Sequence, residues 1–332
     1  MVSPDKEEEL VTWFIISLGA SLSLLEKSKE RLLTEDEILK HRDEAPCIMV
    51  TMEAADKMKA SRGYEDIDPE NVLVDWQRRR IEFVETYWPC LVFYVLTKDS
   101  ATKKCCDLLE SKGIDYQIEE RDEALPALIT SYASYYNPMM EAKERESLTT
   151  HTNYLIVRSK PFKSSEAEDT TKAFLPLVSE LFDIGALGIS LESSSIMHSK
   201  GAWKLFAEEL EKNPLASMLC AFVQMPVSIE GAYMSVGMQS LGQADYIIET
   251  KTLKALGHRD KAEELSIAAN DLFQSLAFYQ LGECPANGFL SGNTFSLTAD
   301  SPRLRVRIEP CKFFQESDIR YNPFGVWRLS LK

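Results

Sequence analysis

The side chains with the most to offer chemically lie around His198. Glu192 and the run Ser193-Ser194-Ser195 precede it at a predicted strand-to-helix connection, a position where α/β proteins often hold ligands. An imidazole beside a carboxylate is the elementary acid–base pair, so His198 with Glu192, or with the distant Asp245, is the catalytic set that this sequence offers. It requires a deep pocket with His198 in hydrogen-bond reach of one of the two carboxylates. The bland alternative is a polar loop in which Ser199 caps the following helix. His41, His151 and His258 lie far off, and no histidine stands in H-E-x-x-H or beside a cysteine at ligand spacing, so no metal site is expected. The absence of a G-x-S-x-G elbow removes the common serine-hydrolase reading.

A second stretch poses a phosphate question. GAYMSVGMQSLGQADYIIET, Gly231 to Thr250, is apolar and punctuated by glycines. A P-loop needs lysine and a hydroxyl after its last glycine, whereas Gly237 and Gly242 are followed by Met238 and Gln243. A dinucleotide fingerprint must open a helix, and here Ala244-Asp245-Tyr246-Ile247-Ile248 reads as a strand. The stretch is expected to be a pair of strands whose glycines allow turns or close backbone approach, with no cofactor bound.

Charge narrows the partner classes. The chain of 332 residues has a net charge of −15, and Met1–Thr150 carries 19 Lys and Arg against 31 Asp and Glu while the remainder has 18 against 21. That acidity disfavours nucleic acid and an anionic membrane surface; it either simply solvates helix faces or would attract a basic protein partner. Arg78-Arg79-Arg80 falls on a predicted helix, where neighbours point apart, and Arg303, Arg305 and Arg307 alternate along a predicted strand as a solvated or intramolecular face. The seven cysteines follow no repeated spacing, which suits a reducing compartment. Pro4-Asp5-Lys6-Glu7-Glu8-Glu9 is acidic where a secretory leader would be basic, so a cytoplasmic location is expected. Val11 to Leu25 is broken by small polar residues and reads as one buried element rather than a membrane span.

The elements that must position these residues are of mixed type. In the first half, Thr34 with Glu37 forms a capping box, Cys47–Met52 is a strand, a helix closes at Gly63 and another starts at Pro69. WPCLVFYVL, a helix carrying Cys105 and Leu109, and IDYQIEE read as βαβ or a related unit, followed by a helix bearing Tyr132, Tyr135 and Tyr136. The second half begins with NYLIVRSKPF and a helix over 165–182 that bends or restarts near Pro176. GALGISLE is a buried strand, a helix covers 199–212, and MLCAFVQMPVSIE supplies further strands. A long helix spans 260–280, and GFLSGNTFSLT pairs with RLRVRIEP. The class is α+β in two mixed α/β domains, an acidic one over 1–147 and one over 148–332 with a mostly antiparallel sheet packed by helices.

Ser235-Val236-Gly237-Met238-Gln239-Ser240-Leu241-Gly242-Gln243-Ala244-Asp245, leading into a strand, resembles the signature of domain-of-unknown-function family 4261, a bacterial family. NYLIVRSKPF, GALGISLESSSIMHS and Asn287-Gly288 to Thr294 agree with it in order, over about residues 152–309. The family's pattern tends to carry Pro-Glu where this chain has Ala244-Asp245. The resemblance names a domain and implies no activity. The functional expectation is therefore a non-catalytic protein-binding, immunity-like or regulatory module with a basic partner at its acidic half. The alternative is an enzyme or small-molecule binder with a site near His198.

Overall fold

A computed structural model describes residues 10–29, 32–83, 90–121, 140–162, 166–283, 290–315 and 317–331. The chain divides into two compact units, Met1–Thr86 and Tyr87–Lys332. The helix expected to carry Tyr132, Tyr135 and Tyr136 lies outside the described residues, as does Asn287-Gly288. Among the described residues no helix is long and apolar enough to cross a membrane.

In the first unit, β1 (Leu10–Phe14) and β2 (Cys47–Thr51) pair antiparallel. Among the described residues four helices accompany them: α1 (Leu18–Lys29), α2 (Glu35–Glu44), α3 (Met52–Arg62) and α4 (Val72–Phe83). Thr34 and Glu37 form the capping box that their spacing predicts, each side chain taking the other's backbone N–H. Gly63 ends α3 in the left-handed region at φ +80°. Val11–Leu25 is not one buried element. It divides into β1 and α1, burying Phe14, Leu18 and Leu22 while Ile15 and Ile16 stay exposed. The helix expected from Pro69 starts at Val72, because the Asp68 carboxylate holds the intervening turn through Glu70 N–H (3.0 Å) and Asn71 Nδ2 (2.8 Å).

The second unit opens with β3 (Val92–Thr97), α5 (Asp99–Ser111) and β4 (Asp115–Glu120). It continues with α6 (Ala142–Leu148), β5 (Asn153–Arg158), α7 (Ala167–Asp183), β6 (Gly188–Leu191) and β7 (Ile196–Met197). The sheet order is β4-β5-β3-β6-β7 and every neighbouring pair is antiparallel. β3 and β4 thus run parallel with β5 between them, and β5 and β6 run parallel with β3 between them. These are two interlocked split β-α-β units, the ferredoxin-like arrangement. The domain boundary expected at Ser147 passes through this sheet: β3 and β4 precede it and hydrogen-bond to β5 and β6, which follow it. The charged residues of 141–146 have a linker's composition, but they lie at a short helix: Glu141, Lys143 and Glu146 face water, Glu144 accepts Lys200 N–H, Arg145 donates to Met140 O, and Leu148 is fully buried. α7 continues through Pro176 as one helix.

The remainder builds a second sheet. After α8 (Lys200–Glu209) and α9 (Pro214–Phe222) come β8 (Gln224–Ile229), β9 (Ala232–Val236) and β10 (Asp245–Glu249). α10 (Thr250–Ala255), α11 (Ala262–Phe278), β11 (Thr294–Phe295), β12 (Leu304–Glu309) and β13 (Val326–Leu331) complete it. The order is β11-β12-β13-β10-β9-β8, with β10 and β13 parallel and the other pairs antiparallel. The first half of MLCAFVQMPVSIE is helix, not strand: Met218–Phe222 ends α9, which starts on Pro214. A short run of apolar residues fits either element, and Pro at the helix start decides it here. Phe93 joins the layers at the centre of the core, stacked on Phe174 at 5.8 Å and edge-on to Trp203 (6.3 Å) and Phe222 (6.1 Å).

The Gly231–Thr250 stretch is the expected strand pair, β9 and β10, joined through a 3-10 turn over Met238–Leu241. Gly237 enters that turn at φ +110°, and a Cβ on it would lie 2.5 Å from Phe222 O and 2.7 Å from Ser194 Cβ. Gly113 has φ +64° with open space around it. Gly237→Ala is expected to cost about 3 kcal/mol or more and Gly113→Ala about 1 kcal/mol in urea unfolding. Equal losses would show that close approach is not what Gly237 provides.

Candidate functional site

Asp245 stands at the start of β10, 1% exposed, and both its oxygens are engaged. Oδ1 accepts from the Ser235 hydroxyl (2.9 Å) and Met238 N–H (3.2 Å), and Oδ2 accepts from Asn322 Nδ2 (2.7 Å). The Ser235 hydroxyl oxygen in turn accepts Tyr246 N–H at 2.8 Å. Burial pushes the Asp245 carboxyl up to about 7, opposed by the donors Asn322, Ser235 and Met238. This carboxylate organises a turn and a strand junction.

Glu192 directly follows β6 and accepts a short hydrogen bond from the Tyr94 hydroxyl on β3. Burial raises the Tyr94 pKa and the Glu192 carboxylate raises it further, so the phenol stays protonated. Ser193 Oγ meets Ser240 Oγ at 2.5 Å, which docks the serine turn against the 3-10 turn.

His198 lies between β7 and α8, packed edge-on to Trp203 and Phe206, both with ring centroids 4.9 Å away. Its Nε2 is 3.2 Å from Ala221 O, and because a carbonyl can only accept, Nε2 carries the proton. Burial pulls its pKa down to about 4, against the backbone carbonyls of Ala221 and Cys220, so the ring is neutral at physiological pH. Ser199 caps α8 through Ala202 N–H at 3.1 Å, as its position predicts.

His198 borders a cleft of about 640 Å³ between the end of α9, the start of β8 and the flank of α11. Neither Glu192 nor Asp245 lines it, so the structure does not assemble the acid–base set that the sequence offers. The walls include Ile196, Leu219, Val223 and Phe278, with polar groups from Cys220, Gln224, Ser228 and Gln274, and no lining side chain is a carboxylate, lysine or arginine. Partial burial raises the Cys220 thiol pKa, which keeps it from acting as a thiolate. The sequence gives Gln224 no prominence, because MLCAFVQMPVSIE reads as strand throughout and hides the helix-to-strand junction where Gln224 sits. Among the described residues no three His, Cys, Asp or Glu side chains gather where they could hold a metal.

Comparison with known protein families, with curated proteins and with solved structures finds no match for this chain.

Two outcomes separate structural from chemical roles. The unfolded chain binds a proton on a histidine at ordinary pKa, whereas folded His198 does so only near pH 4, so folding stability falls as pH drops from about 6.5 to about 4. His198→Gln keeps a donor for Ala221 O without titrating, and is expected to regain about 2 kcal/mol relative to the native chain between pH 7.5 and pH 5, measured by urea midpoints. Asp245→Asn sets an amide donor against the donors already there and is expected to destabilise by about 2–3 kcal/mol at neutral pH.

Proposed function

We propose that the protein is a non-catalytic binding protein whose acidic first unit engages a basic protein partner. The observation that carries this reading is the coincidence of apolar exposure and acidity in one small unit. Leu10, Ile15, Ile16, Ile48, Met49 and Met52 are all exposed there. The carboxylates Glu35, Asp36, Glu44 and Asp56 are exposed on the same unit. Residues 1–86 carry 12 Lys and Arg against 20 Asp and Glu. Exposed apolar groups in a unit of net acidic charge suit a recognition surface, where burial supplies affinity and charge supplies steering and selectivity. A cytoplasmic, immunity-like or regulatory role fits a module that acts by occupying a basic surface.

The stretch around Gly237 and Asp245 supports placing residues 152–309 with domain-of-unknown-function family 4261, which adds no activity. Ser235, Gly237, Met238 and Asp245 in that stretch each have a structural task, which favours binding over catalysis for the second unit as well. The second reading, an enzyme or small-molecule binder with a site near His198, is favoured by the cleft itself. A wall without charged groups directs that reading toward binding.

Affinity capture on the full chain tests the partner. A basic protein from the source-cell lysate is expected to be retained at about 50 mM salt and released by about 500 mM, since screening shortens the reach of surface charge. Glu35→Gln with Asp36→Asn is expected to weaken retention. Capture that is indifferent to both salt and these substitutions would remove the electrostatic basis of the proposal.

A further inference from the structure

The cleft beside His198 has a feature that the fold does not use. Gln224 is 7% exposed, lines the cleft, and its Nε2 is buried with no hydrogen-bond partner among the described residues. An unpaired buried amide group costs about 1–3 kcal/mol. Three other polar groups of the lining are already used: Tyr233 hydroxyl donates to Ala262 O (3.1 Å), Gln274 Nε2 donates to Asn270 Oδ1 (3.3 Å), and His198 Nε2 donates to Ala221 O. Gln224 stands opposite Val236 on β9, just before β8 slips register ahead of Val227, and an aliphatic neighbour offers its amide no hydrogen bond.

We propose that this cleft binds a neutral, largely apolar small molecule through one carbonyl group, which receives the Gln224 amide N–H. The inference rests on the second reading given above, that the site near His198 binds a small molecule. A volume of about 640 Å³ falls in the range of ligand pockets, roughly 300–1,000 Å³. An anion or a cation entering it would surrender hydration without meeting a counter-charge, because the walls carry none and His198 is neutral. A half-turn of the planar amide about its last torsion presents NH2 to the cavity. A carbonyl there converts the orphan donor into a paired one, and an under-satisfied amide oxygen left behind is the better tolerated of the two.

The test uses the full chain and a fluorescent probe of the stated class, 6-propionyl-2-dimethylaminonaphthalene, with 2-dimethylaminonaphthalene as its carbonyl-free counterpart and 1-anilinonaphthalene-8-sulfonate as an anion of similar size. The ketone is expected to bind saturably with blue-shifted emission and the sulfonate to leave it in place. Gln224→Leu is expected to weaken the ketone about tenfold and leave the hydrocarbon unchanged. Cys220→Trp, which fills the cleft from its exposed side, is expected to abolish both. Equal affinity of native chain for ketone and hydrocarbon would overturn the carbonyl assignment while leaving cleft binding in place. No saturable binding, binding untouched by Cys220→Trp, or displacement by the sulfonate would overturn the site itself.

Discussion

The second sheet depends on one buried carboxylate. Asp245 takes protons' worth of attraction from three donors that belong to three parts of the chain: Ser235 on β9, Met238 in the 3-10 turn and Asn322 ahead of β13. A carboxylate stripped of water is costly unless donors replace that water, so these groups must all be in place together. Asn322 also donates to Gln243 O at 3.0 Å and accepts Phe324 N–H at 2.9 Å, which fixes the turn that delivers β13. Asp245 N–H then meets Gly325 O at 3.1 Å, and the parallel pairing of β10 with β13 runs on from Asp245 opposite Val326. A parallel pairing between strands about eighty residues apart has no tight turn to set its register; the carboxylate sets it.

The same constraint reaches the cleft through packed contacts. Holding Met238 N–H on Asp245 pulls the turn inward, with Met238 and Leu241 fully buried. Gly237 is thereby pressed onto Phe222 O, the last residue of α9, at a distance only glycine tolerates. The end of α9 is also where His198 finds the carbonyl of Ala221 and where Gln224 begins β8. The pattern from Ser235 to Asp245 is accordingly a device for docking a turn against a helix end, and the cavity lies beside that same helix end.

How much of this was readable follows from which interactions are local. The capping box at Thr34, the stop at Gly63, the cap at Ser199 and the strand pair around Gly237 are each decided within a few residues, and each appears where spacing places it. The α+β class followed from the mixture of periods. The split order of the five-stranded sheet did not, because β5 comes to lie between β3 and β4 through pairings distant in sequence, and nothing in IDYQIEE says which neighbour it will choose. His198, Glu192 and Asp245 were identified by chemical type, yet type gives no partner. Tyr94 claims Glu192 from 98 residues away and Asn322 claims Asp245 from 77. Gln224 had no signal at all, since an orphan amide exists only relative to a packed interior.

The first unit reaches stability by a different balance. Its buried apolar set is small, and carboxylates do much of the joining: Asp66 accepts Leu18 N–H (2.8 Å) and Gly19 N–H (2.9 Å) at the start of α1, and Glu26, fully buried, accepts Arg80 Nε at 2.7 Å and 2.9 Å. Placing a negative charge at a helix start is favourable, and a guanidinium facing a carboxylate satisfies both where water is excluded. Acid residues in this unit thus divide into those spent on folding and those left at the surface. The surface group cannot be reassigned to stability, because exposed like charges repel and exposed ion pairs contribute little. The carboxylates at the surface lie in the same unit as exposed isoleucine and methionine, whereas Asp66 and Glu26 are taken up by the fold.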